Sequence, residues 1–255
     1  MEVMLKQYDS TPVLSIADNK ISEILRSDYR TADVFKKYNI NFCCSGEVSL
    51  EFACASKNLD LTTVINELEE ATRNIHLPNN LRFNEWKVEF LVDYIINIHH
   101  AYLQQAIPSL ELRLVNFIEG HKKKFPELVN ILDAFIELSK VLLPHIRHEE
   151  EIIFPYIKQI DNAWRKKEPY GNLFVRTLRK PLTNIEKDHT LISIYLKNLR
   201  KYSNNFQFPA NACTNHQVLY HKLREFHDDM IQHKHLENNI LFPRAVEIEC
   251  ELLRL

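Results

Sequence analysis

DDMIQHKHLENNILFPRA, residues 228–245, decides how this chain folds. Within it His233 and Glu237 stand four residues apart in a pattern of helical period. A four-residue step on an α-helix returns a side chain to nearly the same azimuth, so imidazole and carboxylate face one way and can hold one edge of a metal ion. A near copy lies upstream, LPHIRHEEEIIFP at 143–155, in which His145 and Glu149 keep the spacing and Phe154-Pro155 follows as Phe242-Pro243 does. The chain carries one half-site twice.

Around these two stretches the apolar spacing predicts four long helices, over 84–118, 126–160, 173–202 and 213–252, joined by short polar loops. Asn84 is expected to cap the first and Pro126 to sit in the first turn of the second, while Pro108 and Pro144 are expected to kink their helices. Long helices with short connections pack as an antiparallel four-helix bundle. Each contains a histidine near its middle: His100, His145, His189 and His233. These lie roughly 24 to 30 Å along their helices at a rise of about 1.5 Å per residue, so antiparallel packing brings them to one level. The four imidazoles and two carboxylates are thus expected to converge on the bundle axis. Glu149 and Glu237 would bridge two ions, each also held by two histidines.

The same geometry weighs the other candidates. His221 and Glu225 form a third His-x-x-x-Glu pair, but about 120° around the helix from His233, and are expected to be solvated. Glu150 and Glu151 turn away from His145 by about 140° or more. His99, His148 and His235 are expected at the surface or behind the ligands. Imidazole and carboxylate without thiolate suit iron or manganese better than a structural zinc site. Glu186 with His189 makes the ferritin-like Glu-x-x-His, yet the position three before His100 is Asn97, so the second copy is missing. The set is histidine-rich, closer to a hemerythrin-type centre with room for an oxo or hydroxo bridge and an outside ligand.

Ahead of the bundle, short amphipathic helices are predicted over 15–27, 30–38, 48–57 and 61–74, the last capped by Asp60. YNINFCCSGE at 38–47 carries Cys43, Cys44 and Gly46, one of only three glycines. The adjacent cysteines are either small hydrophobes under Phe42 or redox and metal-handling thiols, and a bridge between neighbours is strained. HLPNNLR has the composition of a linker. The expected layout is all-α: a small helical domain over 1–75, a linker over 76–83 and the bundle over 84–255.

In 255 residues, 45% hydrophobic and 26% charged, a net charge of -2 provides no basic field for nucleic acid. No apolar run approaches the roughly 18 residues of a membrane span, and MEVMLKQYDS is too polar for a signal peptide. Five cysteines without framework spacing indicate reduced thiols, so a cytoplasmic protein is expected.

With NFCCSG followed by HHAYL, HIRHEEEIIFP, EKDH and HKHLENNILFPRA, the chain resembles the RIC, or repair of iron centres, di-iron proteins over about residues 18–245. The resemblance implies a hemerythrin-like second domain with two iron ions on His100, His145, Glu149, His189, His233 and Glu237, and vicinal thiols at Cys43 and Cys44. An acidic residue of the family site appears here as Asp188 where Glu is expected. The resemblance further implies restoration of iron-sulfur clusters damaged by nitric oxide or peroxide, with iron delivered to the damaged proteins. Two other functions remain open: nitric oxide reduction at the di-iron site, and binding or sensing of oxygen or nitric oxide. The oligomeric state, a homodimer included, is left open by the sequence.

Overall fold

The computed structural model describes residues 14–42, 46–73, 81–168, 170–176 and 178–254. Cys43, Cys44 and most of the linker stretch lie outside them. Two compact units divide the chain: Met1–Leu77 with Asn211–Val218, and Pro78–Ala210 with Leu219–Leu255. Among the described residues no strand forms beyond an isolated bridge between Lys20 and Ser49.

The first unit contains α1 (Leu14–Ala17), α2 (Ile21–Ser27), α3 (Thr31–Lys37), α4 (Leu50–Ser56) and α5 (Leu61–Thr72). The single helix expected over 15–27 is two, because the backbone between them pairs with the segment before α4. The Ile21 amide donates to the Val48 carbonyl at 3.1 Å, and that of Leu50 to Asn19 at 3.0 Å. Asp60 caps α5, accepting from the Thr63 amide at 2.8 Å, and Ser49 caps α4 by accepting from Phe52 at 3.2 Å. Ile21, Ile24, Phe35, Leu50, Val64 and Leu68 form the core, joined by Val218. Gly46 sits where the Ser22 amide donates to its carbonyl at 2.8 Å. A Cβ there would stand 2.7 Å from the Phe42 carbonyl oxygen, which excludes any other residue without backbone movement.

In the second unit each long rod but one is interrupted by a π-helical turn. The first is α6 (Val88–Tyr94), a π turn at Ile95–His100, then α7 (Ala101–His121). The second is α8 (Glu127–His148), a π turn at Glu149–Ile153, then α9 (Phe154–Lys166). The third is α10 (Arg179–Tyr202), unbroken. The fourth is α11 (Thr214–Leu236), a π turn at Glu237–Leu241, then α12 (Phe242–Leu252).

Boundaries differ from the sequence pattern in three places. Asn84 lies in a 3-10 turn, Phe83–Glu85, and Lys87 takes the cap position. The second rod continues past Ile160 to Lys166, closed by Lys167 in the left-handed conformation at φ 51. Residues 171–174 form a separate 3-10 turn, so the third rod starts at Arg179. Helical backbone continues through Pro108 and Pro144.

Cross-links between neighbouring rods run in opposite chain directions. His100 meets Glu150 while Asp93 meets Lys158; His145 meets His189 while Tyr156 meets Arg176. His189 meets Asn238 while Ser193 meets Lys234; His100 meets His233 while Trp86 meets Arg244. The rods are therefore antiparallel, as expected. Leu91, Ile95, Phe154, Ile157, Leu236 and Leu241 fill the core on one side of the histidine level, and Phe135 packs at a tilt against Phe226, with ring centroids 5.3 Å apart, on the other. No helix among the described residues is long and apolar enough to cross a membrane.

Candidate metal centre

Two of the π turns begin on a glutamate and end one residue before Phe-Pro, at Phe154-Pro155 and Phe242-Pro243. Proline cannot donate to the carbonyl four residues back, and its ring crowds that carbonyl; one widened turn before it relieves both. The widening falls on Glu149 and Glu237. In the first rod the π turn ends on His100 and needs no proline.

All six side chains named from the sequence meet at one level. His100, Glu149, His233 and Glu237 are wholly buried, and His145 and His189 nearly so. The imidazoles form two facing pairs, His100 Nε2 to His233 Nε2 and His145 Nε2 to His189 Nε2, each at 3.0 Å. Glu237 reaches both pairs, with Oε1 2.8 Å from His233 and Oε2 3.4 Å from His189. So does Glu149, whose Oε2 lies 3.3 Å from His145 and 3.5 Å from His100. Two groups result, His100–Glu149–His233–Glu237 and His145–Glu149–His189–Glu237, each with its ligand atoms within 4.8 Å of one another. The glutamates are common to both.

These residues fit metal. None of the four carboxylate oxygens of Glu149 and Glu237 has a hydrogen-bond donor, although His233 Nε2 touches Glu237 out of line. A buried carboxylate left so is costly unless a cation takes the lone pairs. Two nitrogens bound to one ion at about 2.1 Å and about 90° apart lie about 3.0 Å from each other, the spacing of each imidazole pair.

The protonation pattern of the protein alone shows how poorly protons do this work. Burial, then repulsion from Glu237, drives Glu149 well above the usual carboxylate range, and although burial pushes Glu237 the same way, His233 and the other imidazoles hold it well below. Burial opposes the charged form of His100, yet Glu149 and Glu237 raise it to about 10, while burial lowers His145 to about 3. Like groups within one cluster are forced to opposite ends of the scale. Two cations would let both carboxylates ionise and all four imidazoles stay neutral.

Behind the imidazoles stands a ring of partners, of which Glu150, Asn238 and Asp229 escaped the sequence. His100 Nδ1 pairs with Glu150 Oε1 at 2.9 Å and His189 Nδ1 with Asn238 Oδ1 at 2.7 Å. Asp188 Oδ2 stays 3.6 Å from His145 Nδ1. His99, buried, pairs with Asp229 at 2.9 Å and stacks on His233. Glu150 does turn away from His145, as its azimuth requires, and in doing so meets the neighbouring rod. His148 and His235 are exposed; the His221 ring packs on Phe208, and Glu225 pairs with Lys222.

Residues 91–245 match the family described as the hemerythrin HHE cation binding domain. The chain belongs to the hemerythrin HHE family. Residues 17–72 match a second family, ScdA_N, a domain of unknown function (DUF542), and the two in this order are the domain pair of the RIC proteins. Similar proteins align with this chain over almost their whole length. A probable iron-sulfur cluster repair protein of Haemophilus influenzae is 29% identical over 91% of this chain and 99% of its own. The iron-sulfur cluster repair protein ScdA of Staphylococcus haemolyticus is 26% identical over 88% and 96%, and the iron-sulfur cluster repair protein YtfE of Escherichia coli O157:H7 is 29% identical over 91% and 99%. The buried histidine and glutamate cluster lies within this hemerythrin HHE domain, and its two groups could each hold a metal ion.

Proposed function

We propose that this chain is a di-iron protein that repairs iron-sulfur clusters damaged by nitrosative or oxidative stress, and that it does so by donating iron. The observation that supports the count is the sharing of Glu149 and Glu237 between two ligand groups, which would offer two ions a pair of bridging carboxylates and two imidazoles each. Neither group contains a thiolate, which favours iron over structural zinc. The relatives' names support the role in repair.

His100 and His233 would hold one ion, His145 and His189 the other, with an oxo or hydroxo bridge completing the pair. Bound there, the iron supplies an exchangeable centre open to small ligands such as nitric oxide or oxygen. The protein fixes the His100 and His189 rings through partners at Nδ1 and buries Glu149 and Glu237 away from water, and with two cations bound all four imidazoles would be neutral. Cys43 and Cys44 are proposed to assist transfer of iron or nitrosyl, in a protein acting in the cytoplasm on damaged cluster proteins.

Anaerobic loading with labelled ferrous salt, followed by incubation with a nitrosylated cluster protein, tests the proposal. About two irons per chain and label recovered in a rebuilt cluster are expected; intact centre spectra with no transfer would overturn donation. Multiple-turnover nitrous oxide production would replace it with nitric oxide reduction, and reversible ligand spectra with firmly retained iron would replace it with sensing.

A further inference from the structure

The two halves of the centre are chemically unlike, and the difference runs outward from the imidazoles. Behind the first pair stand anions. Glu150, a carboxylate, holds His100 Nδ1 at 2.9 Å, and His99, paired with Asp229 at 2.9 Å, stacks on His233 with ring centroids 5.9 Å apart. Behind the second pair the hydrogen bond among the described residues is to a neutral carboxamide, Asn238 Oδ1 on His189 Nδ1. Asp188 is 41% exposed at 3.6 Å from His145 Nδ1, beyond hydrogen-bond reach; that nitrogen has no partner, nor has His233 Nδ1 in the first pair, so the contrast at Nδ1 is Glu150 on His100 against Asn238 on His189. A carboxylate behind a ligating imidazole raises its basicity and tightens the metal; an amide does so far less.

The second pair also borders a way out. A cavity of about 640 Å³ opens between α10 and the α11–α12 rod, and His189 and Asn238 are among its walls. Glu186, one turn before His189, and Glu247 line it on one side; Ser193, one turn after, and Lys234 line it on the other. Lys234 donates to Ser193, which ties the cationic side back. A cation leaving His189 would therefore meet two carboxylates, Glu186 and Glu247, among the cavity walls.

We propose that the two metal positions differ in lability: the ion held by His145 and His189 is the one that departs, through the cavity walled by Glu186 and Glu247, while the ion held by His100 and His233 stays. This rests on the di-iron donation reading above and specifies which half of the centre performs it. The ion leaves as ferrous iron by ligand exchange, with no electron moved; Glu149 and Glu237 remain on the retained ion and both freed imidazoles stay neutral.

Full-length protein loaded anaerobically with ferrous salt and mixed with a ferrous chelator is expected to release iron in two phases of equal amplitude. Asn238→Asp places a carboxylate behind His189 and should slow the fast phase about tenfold or more, leaving the slow phase unchanged; Asn238→Ala should speed the fast phase. Glu150→Gln should speed the slow phase alone by a similar factor, and Glu186→Gln/Glu247→Gln should slow the fast phase. Mössbauer spectra should resolve two unequal ferrous sites, with the one lost first the one perturbed in the Asn238 variants; circular dichroism confirms folding. Two irons lost in a single phase, or both phases moved alike by Asn238→Asp, would overturn the inference and leave the di-iron reading standing. A chain that never holds two irons would remove both.

Discussion

Glu237 illustrates what one residue does when two sites depend on it. Each of its oxygens faces a different imidazole pair, and neither has a hydrogen-bond donor. Glu237→Gln keeps the shape and removes the charge, so on the di-iron proposal both ions would lose a bridging anion; metal content should fall from about two irons per chain to one or fewer, read by elemental analysis. The histidines give a second prediction, for chelator-stripped protein. Folded His145 titrates near 3 and His233 is also lowered, chiefly by burial, so their stabilising contribution is present above the ordinary histidine pKa of 6.5 and lost as pH falls toward 3. His100, raised to about 10 by Glu149 and Glu237 against its burial, contributes below 6.5 and loses that contribution as pH rises toward 10. Stripped protein should thus be most stable near neutral pH, with melting temperature falling on both sides. Denaturation scans across pH 4 to 10 check it; a flat profile would contradict the burial pattern. At this scale the six clustered side chains were legible because a four-residue step on a helix fixes azimuth. Glu150, Asn238 and Asp229 were not, because a partner across two helices depends on how the rods are rotated against each other, and no spacing within one rod records that.

Among elements, the long rods were visible as period and the π turns were not. Period survives a single widened turn, so the pattern through 143–155 and 228–245 reads as continuous α-helix. The repeated Phe-Pro was the available signal, since both glutamate-bearing π turns end just before it, though proline alone does not mark one, because α-helix continues through Pro108 and Pro144. The short helices of the first unit were placed well where a capping side chain stood at the start, as at Asp60, and poorly over 15–27, where backbone pairing with Val48 and Ser49 cuts the run. Gly46 belongs to the same tight region. Its absent Cβ lets Phe42 and Ser22 approach, so Gly46→Ala should destabilise the protein by about 1–3 kcal/mol through overpacking against backbone. Asp60→Ala, which removes only a cap, should cost about 1 kcal/mol. Urea unfolding of both variants, with iron content measured in parallel, separates the two magnitudes; equal costs would show that the Phe42 contact yields easily.

For the molecule as a whole, the metal level is where stability and function meet. The bundle core on either side of it is apolar, and the intervening layer has two carboxylates and four imidazoles with nothing apolar to replace them. Antiparallel packing and all-α architecture followed from composition and period, whereas the membership of 211–218 in the first unit had no sequence signal, because it lies in the opening turn of a rod that otherwise belongs to the second. Each of the four rods contributes at least one side chain to the layer, so iron bound there would add a further tie among segments already packed through the apolar core. A ligand that binds only the folded form adds stability by mass action, about 2.7 kcal/mol at a free concentration 100-fold above Kd, less whatever the unfolded histidines and thiols bind. For the bundle's size that corresponds to a rise in melting temperature of about 5 to 10 °C. Ferrous loading under anaerobic conditions should produce that rise in the wild type, a smaller one in Glu237→Gln, and none in His145→Ala/His233→Ala, which removes one imidazole from each ion. An equal rise in all three would mean that iron binds elsewhere on the chain, because only a site shared by the four rods makes the gain depend on these residues.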